Sequence, residues 1–347
     1  MKKTLVAIAA LAAVGAASAQ STVNLYGRID ASIGSVKTTT NGATTADVGT
    51  QIRSGGHTGS RWGLRGSEDL GGGMKANFTL EQGFSIDTGA DSTAGLGFSR
   101  QAFVGLSGGF GTVNVGRQYD IVDNMYGIHD AMGNGGYSAV AGIASGFGST
   151  HGGAVGDTIV RQNNAVMYTT PSMGGFSATA MWAPEENKGL GISSGKAVGA
   201  MATFANGPFG FGLGYQSNKA TGAAPSVTQT LFGTSYDLGV AKLFAQYVTG
   251  KNKTAVAGAA YEDKGFNVGV QVPVGAMRLQ AGYAKEDTDN RAGATVRENK
   301  AFGLMAQYDL SKRTYVYAGY RRLESDPAGA SNTIKTTSYG LGVVHNF

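Results

Sequence analysis

The pentapeptide Gly105-Leu106-Ser107-Gly108-Gly109 fits G-x-S-x-G, the pattern that makes a serine nucleophilic at a sharp strand-to-helix elbow. The elbow is absent, because a second alternating stretch follows the turn where a helix is required. His57, His129, His151 and His345 show no metal-ligand spacing and no His-x-x-x-His pair, and there is no cysteine to supply a thiolate or a disulfide. Gly195-Lys196 and Gly250-Lys251 lack the glycine and hydroxyl neighbours of a phosphate loop. No catalytic, metal-binding or cofactor-binding residue is assigned; a serine hydrolase assembled from loops stands as an alternative without a motif. The chemistry that remains is electrostatic. Segment 119–160 holds Asp120, Asp123, Asp130 and Asp157, ten glycines and no lysine or arginine. Arg28, Arg61, Arg65 and Arg161 instead lie on stretches where polar and apolar residues alternate.

Alternation identifies the elements that would carry those charges. In 23–33, Asn24, Tyr26, Arg28, Asp30 and Ser32 interleave with Val23, Leu25, Gly27, Ile29, Ala31 and Ile33. The same period recurs in 209–216, 266–272 and 277–284, where the polar phase is often glycine. Successive side chains of a strand point to opposite faces, so each stretch has one apolar and one polar or glycine face. No stretch shows helical periodicity comparably.

The N-terminus reads differently. Lys2-Lys3, an apolar run from Leu5 to about Ala17, and Ala17-Ser18-Ala19 make residues 1–19 a secretory signal peptide, in preference to a buried helix, leaving 20–347 as the mature chain. Cleavage would remove two lysines from a formal net charge of +5, leaving a mild excess with no basic stripe, which argues against nucleic acid as a partner. No later run approaches the ~18–20 apolar residues of a membrane helix. The other structure able to cross a bilayer is a closed β-barrel, which satisfies its backbone between strands.

The connections support that structure. Seven short breaks carry turn residues, among them Asp69-Leu-Gly-Gly-Gly73, Pro171-Ser-Met-Gly-Gly175 and Asp309-Leu-Ser-Lys312. Eight long polar ones fall at 37–51, 88–97, 119–160, 185–196, 219–227, 251–260, 287–298 and 326–333. Their strict alternation predicts an all-β, 16-stranded antiparallel transmembrane β-barrel with both termini on the short-turn side. A soluble sandwich or propeller is disfavoured by the leader, by strands near ten residues and by this alternation. Sixteen strands are too many for side chains to fill the interior, so a water-filled lumen is expected. Tyr26, Trp182, Tyr236, Tyr247, Tyr283, Tyr308 and Tyr339 fall near strand ends, where aromatic girdles are expected.

The stretches VNLYGRIDASI, SRWGLRGSEDLGGGMKANFTLEQGF, FSRQAFVGLSGGFGTVNVGRQYD and the terminal YGLGVVHNF resemble the general-diffusion porins of β-proteobacteria, the family that includes the neisserial porins. The resemblance spans the mature chain. It implies a homotrimer in the outer membrane of a Gram-negative bacterium and a third external loop folded into each barrel. It further implies that the barrel-assembly machinery reads Phe347 as an assembly signal.

Under that resemblance the acidic segment would face a basic wall across a narrow aqueous passage, where low-dielectric walls concentrate the field. Arg61, Arg100 and Arg161 are expected at the constriction, with Arg28, Arg65 and Arg117 on the adjoining wall; Asp120, Asp123, Asp130 and Asp157 are expected on the loop. Strand parity supports Arg28, Arg61, Arg65 and Arg161. It opposes Arg100 and Arg117, which share phase with apolar neighbours and need a bulge or a strand end. For each arginine the competing reading is a solvated rim or a charge facing lipopolysaccharide. The expected function is passive diffusion of ions and small hydrophilic solutes, with a weak preference for anions; a barrel-anchored adhesin or receptor is the other alternative.

Overall fold

The structure is a computed structural model that describes residues 22–144, 160–185, 196–219, 226–253, 260–327 and 332–347; the expected leader and Asp157 lie outside the described residues. Every ladder in its sheet is antiparallel. The strands are β1 (Thr22–Thr40), β2 (Ala43–Asp47), β3 (Gln51–Ser54), β4 (Arg61–Gly71), β5 (Met74–Gly83) and β6 (Gln101–Gly108). There follow β7 (Gly111–Tyr119), β8 (Arg161–Thr169), β9 (Phe176–Ala183), β10 (Ala197–Asn206), β11 (Phe209–Asn218) and β12 (Ser226–Asp237). The last are β13 (Lys242–Lys253), β14 (Ala260–Val274), β15 (Met277–Asn290), β16 (Thr295–Asp309), β17 (Thr314–Pro327) and β18 (Ile334–Asn346). Sixteen of them form the wall, since β2 and β3 are short pieces laid along β1 within the first long connection. The barrel closes where β1 pairs with β18, from Arg28↔Asn346 to Thr40↔Ile334. Phe347 completes the seam by exchanging both backbone bonds with Gly27, at 3.0 and 3.1 Å.

Two connections depart most from their expected bounds because the strands run on beyond them. β1 continues to Thr40, so the first connection is 41–60 and carries β2 and β3. β15 and β16 remain paired almost to their ends, reducing the seventh to residues 291–294, where the Asn290 side chain accepts from the amides of Ala292 and Ala294 at 2.9 and 3.1 Å. The apolar phase faces outward: Leu213, Val268, Leu304 and Leu341 are among its exposed side chains. Trp182, Tyr236, Tyr247, Tyr283, Tyr308 and Tyr339 share that exposure. Tyr26 does not belong with them; it turns into the lumen and donates to Glu81 Oε2 at 3.1 Å.

The third external loop folds inward through α1 (Ile121–Ile128) and α2 (Ala139–Ala144). Asp120 caps α1 by accepting from the Asp123 amide at 2.8 Å, and Gln216 of β11 accepts from the Ile121 amide at 3.0 Å. The glycine phase of the wall explains how the loop fits. A Cβ on Gly199 would stand 2.8 Å from Ile121, one on Gly212 2.7 Å from Met125, and one on Gly269 2.9 Å from Ala131. Farther round, Gly303, Gly319 and Gly340 leave the space that Tyr137 fills. The alternating glycines of β11 are therefore the seat of a helix, and the buried apolar core of the protein lies between this loop and the inner wall.

Gly233→Val would place a Cβ 2.6 Å from His129 Cγ, an overpacking whose accommodation by shifted side chains and backbone costs about 1–3 kcal/mol. The loop is expected to shift toward the pore axis and lower the unitary conductance in a planar bilayer, with the barrel retained by circular dichroism. Unchanged conductance would show that the loop is not seated on β12.

Candidate functional site

The constriction lies between α1 and the wall formed by β1, β4 and β8. Its open space of about 1170 Å³ is lined by Arg28, Arg61, Arg100, Arg161 and Arg278 from the wall side, and by Asp123, Asn124 and Asp130 from the loop. Four of the six arginines expected from sequence thus come together. Arg100 reaches the lumen from the residue before β6, a strand-end position that frees it from parity.

Arg117 does not join them. The β7–β8 register shifts between Gly116 and Gln118, and the Arg117 guanidinium donates to the Ser99 carbonyl at 2.7 Å and to Asn163 Oδ1 at 2.5 Å. Arg65 lies along the wall away from the cavity lining, its guanidinium 4.9 Å from the centre of the Tyr26 ring.

The cluster is held by the wall itself. Glu81, only 4 % exposed, accepts from Arg100 Nε at 2.7 Å and pairs with Arg61 Nε at 3.8 Å. Tyr119 Oη accepts from both Arg100 and Arg161, the latter at 3.1 Å, and the Arg161 guanidinium lies 4.7 Å from the ring centre. Arg28 donates to Asn346 Oδ1 at 2.6 Å and to Thr58 Oγ1 at 3.4 Å. Each guanidinium therefore has a partner fixing its direction, while a shared phenol oxygen and one carboxylate leave the cluster with a surplus of positive charge.

The loop carboxylates divide into two kinds. Asp120 is fully buried, bound by Gln216 Nε2 at 2.9 Å, and burial pushes it up to about 7. Asp130 accepts from the amides of Met132 and Asn134 at 3.2 and 2.8 Å, and burial raises it as well. Both serve the loop's own conformation. Asp123 faces the arginines: burial raises it to about 6 while Arg161 and Arg100 pull it down, and Asn134 Nδ2 donates to it at 3.3 Å. Asp157 lies outside the described residues.

A second set of residues, not singled out from sequence, positions the loop tip. The Asp30 carboxylate of β1 is fully buried and accepts from the amides of His57 and Thr58 at 2.8 and 2.6 Å and from Tyr317 Oη at 2.6 Å. This draws residues 55–60 of the first connection into the lumen, where the His57 carbonyl accepts from the Gly136 amide of the third loop at 2.7 Å. The His57 ring meets Tyr315 Oη through Nδ1 at 3.0 Å and packs edgewise on Tyr317; burial lowers its pKa and keeps it neutral near pH 7. Asp30, Glu81 and Arg278 all lie on polar phases, so parity was the available signal; nothing local marks 55–60 as a docking segment.

Ser107 lies on β6, bonded by Asn77 Nδ2 at 2.8 Å, with a tight turn and β7 after it. Among the described residues no three His, Cys, Asp or Glu side chains gather around a metal-sized site.

A wide closed barrel narrowed by an inward loop opposite arginines is the architecture of a diffusion channel, and comparison with known proteins agrees. The Gram-negative porin family model matches residues 4–328, and the chain belongs to that family. It is 35% identical over 355 residues to outer membrane porin protein 32 of Delftia acidovorans, covering 99% of this chain and 95% of that protein. It is 33% identical over 398 residues to an outer membrane porin protein of Bordetella pertussis, over 100% of both chains. Among solved structures it is similar to an anion-selective porin from Comamonas acidovorans, with a TM-score of 0.80, 29% identity, and 94% of this chain and 100% of that one covered. The protein is an outer-membrane porin whose barrel spans the Gram-negative outer membrane.

Asp30→Ala removes the carboxylate that accepts three hydrogen bonds, each worth ~1.5–3 kcal/mol as a bond to a charged group. The expected outcome is a freed loop tip, a larger exclusion limit in liposome swelling with graded sugars, and a lower unfolding temperature. Swelling rates identical to wild type across the series would remove Asp30 from control of the constriction.

Proposed function

We propose that this porin passes small hydrophilic solutes with a weak preference for anions, set by Arg28, Arg61, Arg100 and Arg161 against the facing carboxylate of Asp123. The observation that carries this reading is the surplus of guanidinium charge lining the constriction, with Asp120 and Asp130 turned into the loop's own hydrogen bonding. Rings of arginine favour anions because they stabilise the permeating charge where water is scarce. The likeness to a porin described as anion-selective supports the same sign. A homotrimer, cleavage of residues 1–19, recognition of Phe347 during assembly and contact with lipopolysaccharide complete the proposal, supported by the family resemblance and, for the last, by the outward side chains. Neither a loop-borne hydrolase nor an adhesin is favoured by any side-chain grouping described above.

The zero-current potential of the purified protein in a salt gradient tests the sign. An anion-preferring potential is expected, and a cation-preferring one would overturn the reading. Arg61→Ala and Arg161→Ala should each lower the anion-to-cation permeability ratio by roughly twofold, the effect of ~0.4 kcal/mol in a wet, partly screened site.

The pH dependence has a defined direction. Asp123 is ionised above about pH 6 and neutral below it, so the facing negative charge disappears as pH falls from 8 to 5. His129, lowered to about 4 by burial, stays neutral over that window. Anion preference should therefore rise on acidification in wild type, and Asp123→Asn should reduce that rise around pH 6, leaving the part due to buried Asp120, which is raised to about 7; equal slopes in both would rule out Asp123 as a titrating group at the constriction.

A further inference from the structure

The lumen holds a second tyrosine between two arginines, away from the constriction. Arg53 of β3 pairs with Ser32 of β1, and Arg321 of β17 pairs with Gly303 and Ser338. Ser32 and Ser338 are buried, and a Cβ on Gly303 would meet the Tyr137 carbonyl. Directly paired residues share a face of the sheet, so both arginines point into the barrel. Arg321 follows Gly319, which lies under the Tyr137 ring, by two residues on a strand that runs away from its short turn. It therefore stands on the external side of the loop tip. Arg53 belongs to the first external connection, and neither residue lines the constriction.

Tyr137 is 2 % exposed and its hydroxyl has no hydrogen-bond partner. Burial raises its pKa and keeps it protonated, while Arg53 and Arg321 pull it down from nearby. Tyr119 shows what such a grouping does when it is complete. There, two guanidiniums donate to one phenol oxygen, and Glu81 balances part of their charge. At Tyr137 neither guanidinium reaches the phenol, and among the described residues neither has a hydrogen bond or an ion pair. Asp30, which also acts on this hydroxyl, already accepts from two amides and from Tyr317. Two unneutralised guanidiniums thus flank an unused phenol oxygen.

An anion with several oxygen atoms would complete the grouping. A guanidinium presents a planar fork of N–H donors that fits phosphate oxygens, and one tetrahedral oxyanion can engage two forks. Drawn together by it, Arg53 and Arg321 would stand over Tyr137 as Arg100 and Arg161 stand over Tyr119. Chloride is attracted by the same charge but has no oxygens to fit the forks.

We propose that Arg53 and Arg321, beside Tyr137, form a binding site for oxyanions of the phosphate type in the external vestibule, ahead of the constriction. A weak preference for anions at the constriction does not require such a site, and its residues are different ones.

The test titrates inorganic phosphate into the full-length porin in detergent and chloride buffer, with binding read by phosphorus NMR line broadening. Wild type should bind saturably, and R53Q/R321Q should bind roughly tenfold or more weakly, because both forks are gone. R53K/R321K keeps the charge without the fork and should bind several-fold more weakly than wild type. Y137F, which keeps the ring on Gly319, should also weaken binding. Retention of binding in R61A/R161A is expected, since those residues serve the constriction. Should R53Q/R321Q fail to fold, R53Q alone provides the comparison, on a short strand outside the sixteen of the wall. Equal binding by wild type and R53Q/R321Q, loss confined to R61A/R161A, or chloride competing as well as sulfate would overturn the site. A cation-preferring zero-current potential together with phosphate held by Arg53 and Arg321 would overturn the anion reading of the pore and leave this site standing.

Discussion

A peptide group without a hydrogen-bond partner in hydrocarbon costs several kcal/mol, and the architecture follows from that penalty. A sheet exposed to lipid must have no free edge, so β1 has to meet β18. Arg28 sits at the junction, pairing with Asn346 on one edge and Arg61 on the other, and the last residue of the chain extends the seam by two backbone bonds. Closure also sorts the side chains. The outward face must be apolar over the bilayer and the inward face, too wide to be filled by the wall alone, is wet.

A wet lumen becomes selective only where something narrows it. Here the third loop folds in against the wall, and its affinity for the wall comes from shape: Ile121, Met125, Ala131 and Tyr137 occupy spaces left by glycines on β10, β11, β14, β16, β17 and β18. Glycine serves in these strands because a backbone and a side chain must approach closely. The arginines opposite are immobilised from behind by Glu81 and Tyr119. The constriction thus has one rigid charged side and one seated side, joined at the tip by a segment of the first connection held on Asp30.

Much of this was legible in the sequence. Alternation located the wall strands, and the sequence of short and long breaks counted sixteen of them. Parity put Arg28, Arg61 and Arg161 on the wet face, where the cavity has them. Parity also stopped short at Arg100 and Arg117, with different outcomes: a strand end brings Arg100 to Glu81, and a register shift turns Arg117 to Ser99 and Asn163. Composition alone made the four loop aspartates look equivalent. The environments of the three described ones separate them, since Asp120 caps a helix and Asp130 closes a turn, while Asp123 faces the lumen.

What the sequence by itself determined is whatever a period of two and local turn chemistry encode: strand number, the sidedness of termini and loops, the apolar exterior and the polar phase that supplies candidate arginines. Tertiary structure decided the contacts between residues distant in the chain. It chose which glycines seat the loop, which carboxylate faces the arginines, and which residues of the first connection meet Gly136. Those choices depend on the curvature and stagger of a closed sheet, which bring β1, the first connection, the third loop and β17 to one place, and no local pattern records that meeting.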